Sequence, residues 1–209
     1  MRVGNMGTIT STSRRHFLHT NVLLRHASGR SGESERDIET ILTEAATGKR
    51  RIWVNSVLFA EMRPSLFVKG EFPAIADLAR YIRSIATFVT ADPNTMLRAA
   101  RLRDVKWQRP AALRRPGEEP RFMSLTDAIQ IASALWVKEA VGVSDLEFLT
   151  FDDGVADRDE AGGRRLSLLR LQEYLDDSPA DSDVLAAVGL ARVEPILTAH
   201  SVPLIIPAG

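Results

Sequence analysis

Glu61, Asp127 and Asp152 are three carboxylates set far apart in the chain, each beside an apolar run, and His19 stands in the same kind of place. His19 follows His16-Phe17-Leu18, which reads as a strand. Glu61 ends the run Val57-Leu58-Phe59-Ala60, shortly after the strand-like Arg51-Ile52-Trp53-Val54. Asp127 lies in the first turn of a long helical pattern that starts at Ser124. Asp152, with Asp153 beside it, follows Leu146 to Thr150, the last clear strand. In an open α/β sheet, ligands collect outside the carboxyl ends of the strands. These groups could therefore meet at one sheet edge. Clustered carboxylates repel one another and are tolerated mainly around a bound divalent cation. Such a cation can polarise a phosphate and activate a water.

Each residue also has a plainer use. Asp127 fits a capping box, Ser124-x-x-Asp127, in which an acid also suits the helix N-terminus. Glu61 could be a solvated helix residue, although the dipole disfavours an anion near a helix C-terminus. Asp152-Asp153-Gly154 is ordinary turn chemistry. A lone histidine such as His19 is more often a satisfied side chain than a ligand. Spacing alone does not establish a site.

The elements that must position these residues alternate. Residues 1–13 are polar and rich in Gly, Ser and Thr, and read as a flexible tail. Thr20-Asn21 can cap a helix opening at Val22-Leu23-Leu24. Ser28 to Ser34 is a loop. Ile38, Ile41, Leu42 and Ala45 recur at helical spacing between Glu35 and Ala46, with Gly48 as a stop. Asn55 or Ser56 caps a short helix through Glu61-Met62 that ends before Pro64. Ile75, Leu78, Ala79, Ile82 and Ile85 form one stripe of a helix over 72–85, and Phe88-Val89 is a short strand. Pro93 suits the first turn of a helix reaching about Arg103. Trp107 to Pro120, with Pro110, Pro116 and Gly117, is a loop. Leu125, Ala128, Ile129, Ala132, Leu135 and Trp136 make the long helix amphipathic, and Gly142 lies past its end. Leu166 to Leu175 and Val184 to Thr198 read as helices of a C-terminal extension, followed by the apolar tail Pro203 to Pro207. Strands separated by helices predict an α/β fold with a mostly parallel sheet.

Composition narrows the classes. The chain has 209 residues and is 44% hydrophobic, enough for a core and too much for wholesale disorder. Lys+Arg and Asp+Glu are both 27, and a net charge of zero argues against general nucleic-acid packaging. With no cysteine there is no disulfide framework, thiolate zinc site or cysteine nucleophile. No apolar run approaches the ~18 residues of a membrane span, and no secretory signal is apparent. A cytoplasmic protein with no membrane partner is expected. The charge is nevertheless segregated. Arg98, Arg101, Arg103, Lys106, Arg109, Arg114, Arg115 and Arg121 face only Asp104, Glu118 and Glu119 over 98–121. Residues 144–160 invert this with Asp145, Glu147, Asp152, Asp153, Asp157, Asp159 and Glu160 against Arg158. A solvated basic face is the ordinary explanation. A basic rim beside an acidic pocket, which would draw in a phosphate backbone, is the sharper one.

Four segments carry a resemblance to a known family. Phe17-Leu18-His19-Thr20-Asn21-Val22-Leu23-Leu24 resembles the opening motif of PIN-domain nucleases, hydrophobic-hydrophobic-Asp-Thr/Ser-Asn/Ser-hydrophobic. Asn55-Ser56-Val57-Leu58-Phe59-Ala60-Glu61-Met62 resembles the second motif, whose Glu is a metal-site acid. Ser124 to Ala132 is similar to the third, whose Asp begins a long helix, and Leu149-Thr150-Phe151-Asp152 to the fourth, a strand ending in Thr-x-Asp. They occur in family order across about residues 14–155, and the arrangement most resembles VapC-type toxins of toxin–antitoxin pairs. The resemblance implies a PIN-like domain over 14–158, an α/β/α sandwich, with 159–209 as an extension packed on the core.

It also implies a phosphodiesterase cleaving RNA with Mg²⁺ or Mn²⁺. Glu61, Asp127 and Asp152 would hold metal, with Asp153 a substitute. Thr20, Asn21 and Thr150 would support the site, and Arg98, Arg101, Arg103, Arg114 and Arg115 would hold RNA. An antitoxin is the implied partner, and homodimers are common in the resembled family. The departure is His19, which stands where the family has its first Asp. A neutral imidazole supplies nitrogen and no negative charge, and an imidazolium repels metal. Reduced or absent activity is therefore expected. The alternative is a non-catalytic PIN-fold module that binds RNA or protein. A phosphate-accepting receiver domain is a distant third, because the acidic pair expected at the first strand is missing.

Overall fold

The alternation of short apolar runs and helical patterns builds three layers. A computed structural model describes residues 14–28, 33–63, 72–154, 166–175 and 181–197. The tail 1–13, the acids Asp157, Asp159 and Glu160, and the apolar stretch Pro203 to Pro207 lie outside them.

Five strands form one all-parallel sheet: β1 (Arg14–Leu18), β2 (Arg50–Asn55), β3 (Thr87–Val89), β4 (Glu147–Leu149) and β5 (Ala191–Val193), in the order β3-β2-β1-β4-β5. Successive side chains on a strand point to opposite faces, and both faces here are buried. Phe17, Trp53 and Phe148 enter one apolar cluster, with Phe17 and Phe148 stacked at 5.7 Å between ring centroids. Leu18, Ile52, Val54 and Leu149 enter the other. A sheet covered on both sides reads as short continuous apolar runs, which is why no strand shows clean alternation.

Helices α1 (Thr20–Ala27), α2 (Glu33–Ala46), α3 (Leu58–Glu61) and α4 (Ile75–Ile85) pack on the second face through Leu23, Leu42, Leu58 and Ile82. Helices α5 (Pro93–Asp104), α6 (Leu125–Glu139) and α7 (Ser182–Val188) cover the first through Leu102, Leu135 and Val184. Among the described residues, no helix is long and apolar enough to cross a membrane.

Several local expectations change. The helix expected over 72–85 begins at Ile75, and α3 starts after Val57 with no side-chain cap bond, so neither Asn55 nor Ser56 caps it. The loop from Trp107 closes on itself through an antiparallel bridge to Arg121, and the Trp107 ring is fully buried. Leu166 to Leu175 is not a helix. Leu166 and Leu168 dip into the core at strand spacing, and one 3₁₀ turn over Leu171–Tyr174 returns Leu171 and Tyr174 to it. The helix expected from Val184 to Thr198 stops at Gly189, and Ala191–Val193 becomes the edge strand β5. Pro195, which has no N–H and clashes inside a helix, helps to exclude continuation. Thr20-Asn21 does not cap α1. His19 holds the cap position, with extended backbone angles and no side-chain cap bond.

Candidate functional site

Strand order places the site before any side chain is considered. From β1 the chain steps outward to β2 and β3, then returns to the other side of β1 for β4 and β5. The order reverses between β1 and β4, and the crevice outside their carboxyl ends is where open α/β sheets bind ligands. His19 follows β1 and Thr150 follows β4 at that point, with the His19 N–H hydrogen-bonded to the Leu149 carbonyl at 3.0 Å.

The His19 ring spans the crevice. Its Nδ1 lies 2.8 Å from Thr150 Oγ1 and its Nε2 lies 3.0 Å from Asp127 Oδ1. Thr150 is fully buried, and its oxygen accepts from Asn21 Nδ2 at 3.2 Å and from the Asp152 N–H at 3.0 Å. A hydroxyl has two lone pairs and one proton. In the neutral ring the Thr150 proton therefore points to His19 Nδ1, and Nε2 carries the hydrogen donated to Asp127; in the protonated ring Nε2 still donates to Asp127 and Nδ1 turns donor towards Thr150. The chain Thr150–His19–Asp127 has the order of a hydrolase triad. Complete burial of Thr150 denies that hydroxyl to any substrate, so the chain is a brace.

Each acid is held by its own element. Ser124 caps α6 by accepting from the Asp127 N–H at 3.1 Å, and its hydroxyl donates to Asp127 Oδ2 at 2.6 Å. Capping and site geometry are therefore one arrangement. Asn55 ends β2 by accepting from the Val57 N–H at 2.7 Å while its amide donates to Ser133 of α6 at 2.7 Å. That clasp turns the chain into α3 and delivers Glu61. Asp152 Oδ1 accepts from the Gly154 N–H at 3.1 Å, and its carbonyl accepts from the Leu169 N–H at 3.0 Å. Asp153 is exposed. Thr20 Oγ1 is buried with no hydrogen-bond partner among the described residues.

The electrostatics centre on the imidazole. Burial pushes its pKa down. The hydrogen bond and charge of Asp127, joined by the charges of Asp152 and Glu61, outweigh burial and hold it above 6.5. Asp127 thus touches the ring, and the charges of all three acids favour its positive form. Both ring nitrogens are engaged, so no imidazole lone pair points into the cluster. Among the described residues, no group of three His, Asp or Glu side chains is arranged to hold a metal ion. Mg²⁺ demands near-octahedral oxygen ligands. As arranged, this donor set does not fit it, because the Asp127 oxygen nearest the ring already accepts the His19 N–H.

The basic candidates separate. Arg98 donates to Asp183 at 2.8 Å and to Glu139 at 2.8 Å, and Arg101 donates to Asp183 at 2.7 Å, so both tie α5 to neighbouring helices. Arg114 donates to the Arg109 carbonyl. Arg103 and Arg115 are exposed.

Gln130 is a residue that local pattern did not single out. Its Oε1 accepts from the Thr20 N–H at 3.0 Å and its Nε2 donates to Glu61 Oε2 at 2.8 Å. An amide among the apolar side chains of α6 is the signal, because a buried amide must find partners. No protein-family model and no curated protein matches the chain.

Proposed function

We propose that the chain is a PIN-like protein of the VapC toxin type, a metal-dependent endoribonuclease in plan that hydrolyses RNA phosphodiesters, with activity reduced or abolished by His19. One observation carries this: Asp127 contacts the buried imidazole at the switch point of the sheet, and the charges of Asp152 and Glu61, both distant in sequence, act on the same ring. Acids gathered with such fixed geometry are costly unless a cation is meant to lie among them. Here the imidazole takes that electrostatic place, so Mg²⁺ or Mn²⁺ belongs to the form with an acid at position 19. The four motifs in family order support the same assignment, an antitoxin covering the acidic crevice is the corresponding partner, and exposed Arg103 and Arg115 are available to a phosphate backbone.

The deciding experiment compares the wild type, His19→Asp, and His19→Asp combined with Glu61→Gln on single-stranded RNA with Mn²⁺ or Mg²⁺. Wild type is expected to cleave slowly or not at all, His19→Asp to cleave, and the double variant to lose that gain. A folded His19→Asp protein that is inert with both metals would rule out the nuclease plan. The second reading, a non-catalytic PIN-fold module for RNA or protein, is favoured by the fully engaged His19 ring. It expects RNA or protein binding that neither metal nor Glu61→Gln alters.

A further inference from the structure

Away from the acids, α5, α6 and α7 line an open cavity of about 280 Å³ bordered by Asn94, Arg98, Arg101, Trp136, Glu139 and Asp183. We propose that this cavity is a subsite for one unstacked base of single-stranded RNA, with guanine preferred. The inference rests on the RNA-binding part of the function proposed above and adds a second contact outside the acidic crevice.

Three features argue for a planar, neutral, hydrogen-bonding ligand. The two guanidinium groups are matched by the carboxylates of Glu139 and Asp183, so the lining carries no net charge and offers little to a free anion. Trp136 is 38% exposed, whereas Trp53 and Trp107 are 4% and 0% exposed. An indole left open beside polar groups is a stacking platform, and unpaired bases are held by stacking on aromatic rings and guanidinium planes. The edges also match. Arg101 gives Nη1 to Asp183 and Glu139 takes one bond from Arg98 on each oxygen, yet their side chains are 60% and 48% exposed, so further guanidinium N–H groups and carboxylate lone pairs border the cavity. Guanine presents O6 and N7 to an arginine, and its N1–H and N2–H₂ form a donor pair suited to a carboxylate. Adenine lacks that donor pair.

The cavity and the acids share α6 without overlapping. Asp127 and Trp136 are nine positions apart in the sequence, a rise of about 14 Å along a helix axis, so one short strand can reach both.

The test titrates the full chain with the RNA pentamers UUGUU and UUAUU and with inorganic phosphate, reading tryptophan emission. Because the other two indoles are buried, a saturable change reports Trp136. UUGUU is expected to quench emission and to bind about tenfold more tightly than UUAUU, in keeping with one bidentate base contact. Phosphate should do nothing. Trp136→Phe should remove the signal, and Glu139→Gln should remove the preference for guanine while binding persists. Asn94→Ala serves as a second lining variant if Glu139→Gln unfolds the protein, and it should weaken UUGUU binding. No saturable change with UUGUU, equal affinity for the two pentamers, or an equal response to phosphate would overturn the subsite. Cleavage by His19→Asp is scored separately, so loss of the subsite and loss of the nuclease plan are distinguishable.

Discussion

At the scale of single residues, two buried histidines three positions apart, one in β1 and one just after it, have pKa values shifted in opposite directions. His16 sits at the start of the sheet, where burial, then the charges of Arg50 and Arg14, push its pKa down to about 4. Arg50 donates to its Nε2, which blocks protonation there. The unfolded chain takes up a proton near pH 6.5 while the folded one does not, so this stability is complete above 6.5 and is lost as pH falls towards 4. Between pH 7.5 and pH 5 the loss is about 2 kcal/mol. His16→Gln keeps an acceptor for Arg50 and should flatten that acid limb in urea unfolding. A limb unchanged by the substitution would refute the assignment. His19 runs the other way. Its pKa is raised, so its charge stabilises the fold below 6.5 and that contribution fades as pH climbs past the raised value. His19→Asp removes the brace and adds a fourth acid. Without metal it should cost about 3 kcal/mol, the cost of breaking a buried hydrogen-bonded pair. Mn²⁺ should recover part of that in a thermal melt of the variant and shift the wild type little.

At the scale of elements, the same cross-links decide how much was readable. The strands β1, β2 and β4 and the helices α2, α5 and α6 could be read from apolar spacing, because that pattern is local. Ser124 as the cap of α6 was equally local. The three residues of β5 contain no alternating pattern. They are a strand only because Val193 lies beside Leu149, which follows from tertiary pairing and not from propensity. The placement of the acids at element ends could be read locally, but the partners of His19 could not, since Thr150 is 131 positions away. Gln130 shows the consequence for α1, α3 and α6. Gln130→Leu leaves the Thr20 N–H without its acceptor and Glu61 without its donor, and should destabilise by about 2 kcal/mol in denaturant titration. Gln130→Glu should cost more at pH 7 than at pH 4, where protonation relieves the clash with Glu61. Equal costs at both pH values would show that Glu61 is not oriented through this amide.

At the scale of the whole molecule, the segment beyond residue 165 completes the site and the core together. Gly154 has φ +67, and a Cβ there would lie 2.8 Å from Ser167 Cα. The turn carrying Asp152 therefore closes against the returning chain, which also supplies the Leu169 N–H to the Asp152 carbonyl. Leu166, Leu168, Leu171, Tyr174, Val184 and Leu190 are buried in the cluster that covers Phe17 and Phe148. At about 1.5–3 kcal/mol for each large apolar side chain buried, they contribute on the order of 10 kcal/mol, comparable to the whole net stability of an ordinary domain. A chain ending at residue 165 should therefore lose cooperative unfolding and near-ultraviolet circular dichroism while keeping much of its helical signal. Gly154→Ala is the gentler probe, and should cost about 2 kcal/mol through its positive φ and the Ser167 backbone. If the truncated chain melts as sharply as the full one, β5 and α7 are decoration on a domain that ends near β4. If it does not, no boundary separates a site-bearing domain from its extension, because the residues that fix Asp152 and those that seal the sheet are the same ones.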